Sequence, residues 1–460
     1  MDFLGRHPFV RLTAHDKVLG TIIGAALGDA IGLFTEFMPR TVAQSSYPEG
    51  RFSLIEPRTP FRPDRHRDKF EPADWTDDTD QALILILSYL HNEGRICPSD
   101  FAARLRIWCT QGLRCLERLP LGIGRTTGKV VLDEAYLASP EAVALQLWLQ
   151  SNRDAAANGS LMRTHPLGVI CLLGPLEQTF RVAAQISRTT HVDPRCVVSC
   201  CLVTALVRGV LRGEVMCEED IDRLIEAAFQ WVDAQAELRC PEKGIRQEEC
   251  PESLVAPDVE EDDDHSHLGY EEYRRHVYAR TLEELQLDDA QKMGYVYKCL
   301  GAAVLLLRLA MRHGRVVPDG EGLFESLVTR LVMYGGDADT NACVAGALLG
   351  AWVGYSHLPP HWRDGIAYRE WLLRKSESLS SQVGVLERGA DTVRRENCDN
   401  ENETAPDGGK GLLSKEDLDK RAEDWARKIM KKGDERRLAK ERAQREAGAK
   451  KWYRRLSIMR

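Results

Sequence analysis

Strand-type alternation of apolar and polar residues is nearly absent from this 460-residue chain, which argues against a fold built on an extended sheet. The opening MDFLGRHPFVRL lacks the apolar stretch of a secretory leader, and none is expected. Long uncharged runs are missing as well. Residues 18–28 and 82–90 both fall short of the ~18 residues that a membrane helix needs, so no membrane partner is expected. The 13 cysteines show no metal-type spacing, and an odd number without a leader suits a reducing compartment. The expected location is the cytoplasm, with the nucleus as the alternative. A net charge of −8 argues against nucleic-acid binding by the chain as a whole. That charge is unevenly spread: residues 411–460 hold 17 Lys/Arg and 9 Asp/Glu, a balance of +8, which leaves −16 on the rest.

What the chain does have is helical periodicity. Residues 14–34, 79–94, 99–116, 140–150, 178–189, 194–212, 219–236, 280–312, 320–331 and 340–356 read as helices punctuated by Gly and Pro. They predict an all-α domain over about 10–385. Two of these helices carry small residues every fourth position: Gly20, Gly24, Gly28 and Gly32, then Ala342, Gly346, Gly350 and Gly354. An interior Gly costs roughly 1 kcal/mol against Ala, so a repeated stripe implies close helix–helix approach at the centre of the bundle. Residues 240–270 are acidic and aperiodic and read as a surface insertion. His265 and His267 with Asp262–Asp264 offer a metal site there, against the simpler reading of a solvated loop. Residues 386–412 read as a linker. Ser414 and Asp417 suggest a capping box that opens a charged helix, so 413–460 is predicted as a peripheral or solitary tail, helical or disordered. Its basic pairs, interleaved with Trp452 and Tyr453, offer nucleic-acid contact, but a solvated charged helix is the preferred reading.

Two acidic clusters stand out, Trp75-Thr76-Asp77-Asp78-Thr79-Asp80 and Gly335-Gly336-Asp337-Ala338-Asp339-Thr340-Asn341. Each lies at the start of an apolar helix, where one Thr or Asp would serve as an N-cap. One cap needs one such residue, and so many oxygen ligands together suit hard cations and activated water. In the second cluster the paired glycines allow a tight turn before the helix.

These clusters, with the intervening Asn158-Gly-Ser-Leu-Met-Arg163 and Pro166-Leu-Gly168, resemble the ADP-ribosylglycohydrolase family. So do the opening helix with Glu36, Gly122-Ile-Gly-Arg-Thr-Thr127, Thr190-His191 and Gly294-Tyr-Val296. The resemblance implies a compact all-α domain with two central Mg²⁺ ions, Mn²⁺ being the alternative. Thr76, Asp77 and Asp78 would bind one ion, and Asp337, Asp339 and Thr340 the other, with Asp339 shared. Glu36, Asp77, Asp78 and Asp339 would be catalytic. Gly122, Gly124, Thr126, Asn158, Gly159, Ser160 and His191 would contact substrate, with backbone N–H groups on the pyrophosphate. Arg163 is open to a phosphate or to an internal ion pair.

The implied reaction is hydrolysis at C1″ of an ADP-ribosylated protein side chain, releasing ADP-ribose, by a chain expected to be a monomer. The alternatives are the same chemistry on a small ADP-ribose conjugate, or a binding or structural protein that has lost catalysis. Asp80, Ala338 and Ser160 depart from the family pattern without removing a proposed ligand, and they leave the linkage specificity open.

Overall fold

The computed structural model describes residues 3–5, 8–244, 267–314, 322–386 and 401–458. Most of the 240–270 insertion, including His265 and Asp262–Asp264, and residues 387–400 of the linker lie outside them. Helices carry the described chain, which is all-α as its periodicity predicts. No strands occur among the described residues, only two isolated bridges, Met38 with Gly336 and Ala157 with Tyr295. The chain forms two units: residues 1–59 with 73–411, and residues 60–72 with 412–460.

At the centre of the larger unit, helix Pro8–Gly32 lies antiparallel to helix Ala338–Val353. The glycine stripes face each other. A Cβ on Gly28 would sit 1.9 Å from the Ala342 carbonyl oxygen, and one on Gly346 would sit 2.3 Å from that of Gly24. Small residues continue the seam, with Ala25, Cys343 and Ala347 packed together. Backbone meets backbone, so the close approach inferred from the sequence is what the helices make. Gly28→Ala is therefore expected to destabilise the protein by about 1–3 kcal/mol, overriding the ~1 kcal/mol that alanine gains in helix propensity. Urea denaturation measures this, with Gly433→Ala as the control, since the nearest atom to that added methyl is 3.9 Å away.

This antiparallel seam matters because of where it ends. Gly32 lies against the backbone of Asp339. The end of the first helix and the start of the second therefore meet at one place, and the two acidic stretches far apart in sequence become neighbours.

Around the pair, helix Pro194–Arg212 is long and apolar enough to cross a membrane, yet 94% of its apolar window is buried inside the unit. Helix Leu176–Arg188 packs along it. The helix expected over 280–312 starts only at Val296. Before it, Leu282, Leu285 and Leu287 are buried in an irregular stretch, where Gln286 adopts φ +47° and Asp288 accepts the Arg40 N–H at 2.8 Å. Leucines spaced two and three apart satisfy a core equally well from a loop, so periodicity alone extended the helix too far. Residues 401–411, the far part of the expected linker, are docked: Lys375 pairs with Glu403 at 2.8 Å, and Arg114 donates to the Gly411 carbonyl at 3.2–3.3 Å.

In the smaller unit, helix Lys415–Ile458 opens on a capping box. The Ser414 hydroxyl donates to Asp417 at 2.7 Å, and the Asp417 N–H donates back to Ser414 Oγ at 3.1 Å. Lys428, Lys432 and Arg436 recur every four residues and so share a face. They meet the 60–72 loop: Lys428 pairs with Glu71 at 2.6 Å, Lys432 donates to the carbonyls of Asp68 and Phe70 at 3.1 and 3.2 Å, and Arg436 pairs with Asp68. The helix is thus not solitary, because its basic stripe has Asp68, Glu71 and two backbone carbonyls of the 60–72 loop to hold.

Candidate metal centre

Helix Asp77–His91 begins with three carboxylates in its first turn, yet none of them caps it. The cap comes from the first helix. Asp29, fully buried on the first helix, accepts the N–H of Thr76 at 2.9 Å, the N–H of Thr79 at 3.0 Å and the Thr79 hydroxyl at 2.6 Å. The helix start is satisfied from outside, which leaves the local carboxylates for other work. Asp80 takes a structural part. It accepts from the indoles of Trp75 and Trp108 at 2.7 and 3.0 Å and from Arg118 at 3.0 Å. Asp77 and Asp78 remain.

The second cluster is built by backbone. Gly335 and Gly336 both have φ +68°, and a Cβ on either would come within 2.1 Å of a carbonyl oxygen, of Met38 and Leu287 respectively. Only glycine passes there. The Gly336 N–H donates to Met38 at 2.9 Å, which ties the Glu36 loop to the Asp337 loop. Helix Ala338–Val353 again has no side-chain cap, although Asp337 occupies the cap position.

Together these elements bury six carboxylates besides Asp80. Oxygens of Asp29, Asp78 and Asp339 all lie within 4.8 Å of one another, as do those of Glu36, Asp337 and Asp339. Desolvation, and then mutual repulsion, raises Asp77, Asp78 and Asp339 well above the usual carboxylate range. Asp337 rises as well, by desolvation, while the Asn158 amide holds it back. Burial pushes Asp29 up to about 7 against the pull of its hydrogen bonds. Asp78 Oδ1 and Asp339 Oδ1 are buried with no donor among the described residues. Unpaired buried carboxylate oxygens are costly, and an oxygen-only set of this kind fits a hard divalent cation.

The grouping differs from the sequence expectation. Asp339 is common to both triplets, but Asp29 joins Asp78 in the first, and Asp77 falls outside both. Asp77 Oδ2 accepts the Gln81 amide at 3.1 Å. Thr76 donates to Asp78 Oδ2 at 2.8 Å. Thr340 lies beside both Asp78 and Asp337 and favours their charged forms.

Of the expected substrate residues, Gly122 adjoins the centre: it has φ +90°, and a Cβ there would lie 2.5 Å from Asp77 Oδ1. Asn158 Nδ2 donates to Asp337 Oδ2 at 2.8 Å, and its N–H donates to Gly294 at 3.0 Å. Gly159 lies against His191, with 3.1 Å to the ring from a notional Cβ. Gly124 precedes helix Arg125–Val131 in open space. Thr126 lines a cleft of about 550 Å³ with Arg125, Lys129, Arg195, Lys292 and Gly294. Ser160 is engaged elsewhere, its hydroxyl taken up by Ser187 at 2.9 Å and Cys200 at 3.4 Å. Among the described residues Arg163 has no carboxylate partner; it donates to Gln81 Oε1 at 2.7 Å and Thr190 Oγ1 at 2.6 Å. A larger cavity, about 790 Å³ between Tyr89 and Gln185, holds none of these residues.

Sequence reasoning missed Asp29 and Gln81. An Asp inside an otherwise apolar glycine-striped helix was a visible signal for the first. The second needed the fold.

Comparison with known proteins agrees with this architecture. The family described as ADP-ribosylglycohydrolase matches residues 11–390. The ADP-ribosylarginine hydrolase Tri1 of Serratia proteamaculans is 24% identical over 365 residues, 79% of either chain. The ADP-ribosyl-[dinitrogen reductase] glycohydrolase of Rhodospirillum rubrum is 24% identical over 355 residues, 76% of this chain and 90% of that one. A solved structure described as an ADP-ribosylglycohydrolase-related protein complex covers 80% of this chain and 99% of its own, at 23% identity and a TM-score of 0.48. With its family match running from the first glycine helix past the second, the chain belongs to the ADP-ribosylglycohydrolase family.

Proposed function

We propose that this protein hydrolyses the glycosidic bond at C1″ of an ADP-ribosylated protein side chain, releasing ADP-ribose, with two divalent cations, Mg²⁺ or Mn²⁺. The observation that carries this reading is the pair of buried oxygen triplets sharing Asp339. Asp29, Asp78 and Asp339 would hold one ion, and Glu36, Asp337 and Asp339 the other. When bound, such ions supply counter-charge to the buried carboxylates and Lewis-acid polarisation of nearby oxygens. Hydrolysis breaks the bond from C1″ to the departing nitrogen or oxygen and forms a bond from C1″ to the oxygen of water, through an oxocarbenium-like transition state. Glu36, carried on a loop, is the carboxylate we assign to take a proton from water, and the departing atom ends protonated. Asn158 fixes Asp337 by a hydrogen bond to Oδ2, so its second oxygen keeps its direction. The cations that line the 550 Å³ cleft beside Gly294 suit a diphosphate.

A hydrolysis panel tests the proposal, with arginine-linked, serine-linked and small-molecule ADP-ribose conjugates, each with and without Mg²⁺. Release of ADP-ribose from a protein conjugate only with the cation is the expected result. Release from small conjugates alone would move the substrate assignment. Calorimetric binding of ADP-ribose with no turnover of any conjugate would overturn the enzymatic reading.

A further inference from the structure

Next to the carboxylates lies a buried cation that the reaction above does not use. Arg163 is 0% exposed, its guanidinium 5.1 Å from the Phe101 ring, with hydrogen bonds to two neutral side chains. A guanidinium only donates, and that fixes the sense of everything bonded to it. Gln81 must accept through Oε1, so its amide nitrogen faces Asp77 and donates to Oδ2 at 3.1 Å. Thr190 must accept at Oγ1, which leaves its single hydroxyl proton to give. The other hydrogen-bond partner of that oxygen is His191 Nδ1, at 2.7 Å. If Nδ1 carried the proton instead, Thr190 Oγ1 would receive two donors and its own proton would point at nothing, a buried unpaired donor.

We infer that Arg163, acting through Thr190, holds His191 as the tautomer protonated at Nε2, so that this ring presents a fixed donor to an acceptor oxygen of the ligand. Arg163 is thus a positioning residue for both sides of the site: it orients Asp77 through Gln81 and His191 through Thr190. His191 Nε2 is buried and has no hydrogen-bond partner among the described residues. It lies beside Gly159, where a Cβ would come within 3.1 Å of the ring and 3.3 Å of Thr127 Oγ1, so glycine keeps a side chain off this edge of the imidazole. Burial, with the Arg163 charge, pushes the His191 pKa down to about 3, so the ring stays neutral at working pH. The donor therefore neither acts as a base nor changes charge, and it recognises an oxygen by geometry alone.

The inference rests on the proposed substrate only for what the donor meets; the tautomer itself is a property of the free protein. Nitrogen-15 NMR on selectively labelled histidine reads it directly. The expected result is a His191 ring with Nε2 protonated, Nδ1 bare and no titration between pH 5.5 and 8. Thr190→Ser should keep that signature, and Thr190→Val should lose it and yield the other tautomer or a mixture. Calorimetry with ADP-ribose adds a second readout: a Kd about tenfold weaker for Thr190→Val and near unchanged for Thr190→Ser. Arg163→Lys, whose single ammonium cannot fork to both Gln81 and Thr190, should weaken the tautomer preference if it folds. A wild-type ring protonated at Nδ1, or one that titrates in this range, overturns the inference. Absence of ADP-ribose binding with the expected tautomer present would count against the substrate reading instead.

Discussion

Replacing Asp339 with asparagine is expected to lower hydrolysis of an ADP-ribosyl conjugate by about 10³-fold, because cation placement contributes several kcal/mol to such reactions. Among the described residues Asp339 is the one carboxylate common to both triplets, so its loss takes a ligand from both proposed cation sites at once. The same substitution should not destabilise the cation-free protein. Asp339 is held well above the usual range by desolvation and by its carboxylate neighbours, and an amide of the same shape removes a repulsive charge. Activity and stability should therefore move apart, with turnover falling while the melting temperature in EDTA holds or rises. Asp80→Asn should do the reverse. It weakens a hub that accepts from Trp75, Trp108 and Arg118, leaves Arg118 short of a buried counter-charge, and lowers stability without touching either triplet. Kinetics and calorimetry on the two variants make the comparison. Full cation-dependent activity in Asp339→Asn would sink the metal assignment.

The second large effect is a stability that depends jointly on pH and divalent cation. A carboxyl whose folded pKa lies above its unfolded value binds a proton on folding. Its contribution is intact below the unfolded value and is lost as pH rises through the folded one. Asp29, ordinarily 3.8 and about 7 here, loses it over that interval, and Asp77, Asp78 and Asp339, raised well above 3.8, follow in the same direction. Buried His165 and His191, lowered to about 4 and about 3 by desolvation, act with the opposite sign below the ordinary 6.5. The diagnostic quantity is therefore the difference in melting temperature with and without Mg²⁺, in which the histidines cancel. That increment should grow from pH 6 to pH 8, since the ions bind deprotonated carboxylates. At a cation concentration 100-fold above Kd each site adds about 2.7 kcal/mol. Differential scanning calorimetry in EDTA and in Mg²⁺ decides the matter, and an increment that shrinks with pH would refute a carboxylate-held cation.

The helical class, the glycine-striped pair and both acidic stretches were readable along the chain, because each depends on local spacing. A stripe of Gly20, Gly24, Gly28 and Gly32 has one strong physical use, close backbone contact, and the chain puts it to that use. The family motifs were readable for the same reason, being short and contiguous. Periodicity failed where a loop buries its leucines as well as a helix would, as at residues 282–287.

What the tertiary structure alone decided is the division of labour among carboxylates that look alike in sequence. Asp77, Asp78 and Asp80 stand within one helical turn. One is hydrogen-bonded by Gln81, one joins a carboxylate triplet that could hold a cation, and one anchors two indoles and an arginine. Asp29, 47 residues from the Thr76 it caps, turns out to be the fourth member of that region. Which oxygen is satisfied and which is left bare depends on partners brought from other helices. The sequence determined that acidic oxygens would gather where the first glycine helix ends and the second begins; only packing decided which of those oxygens are left without donors.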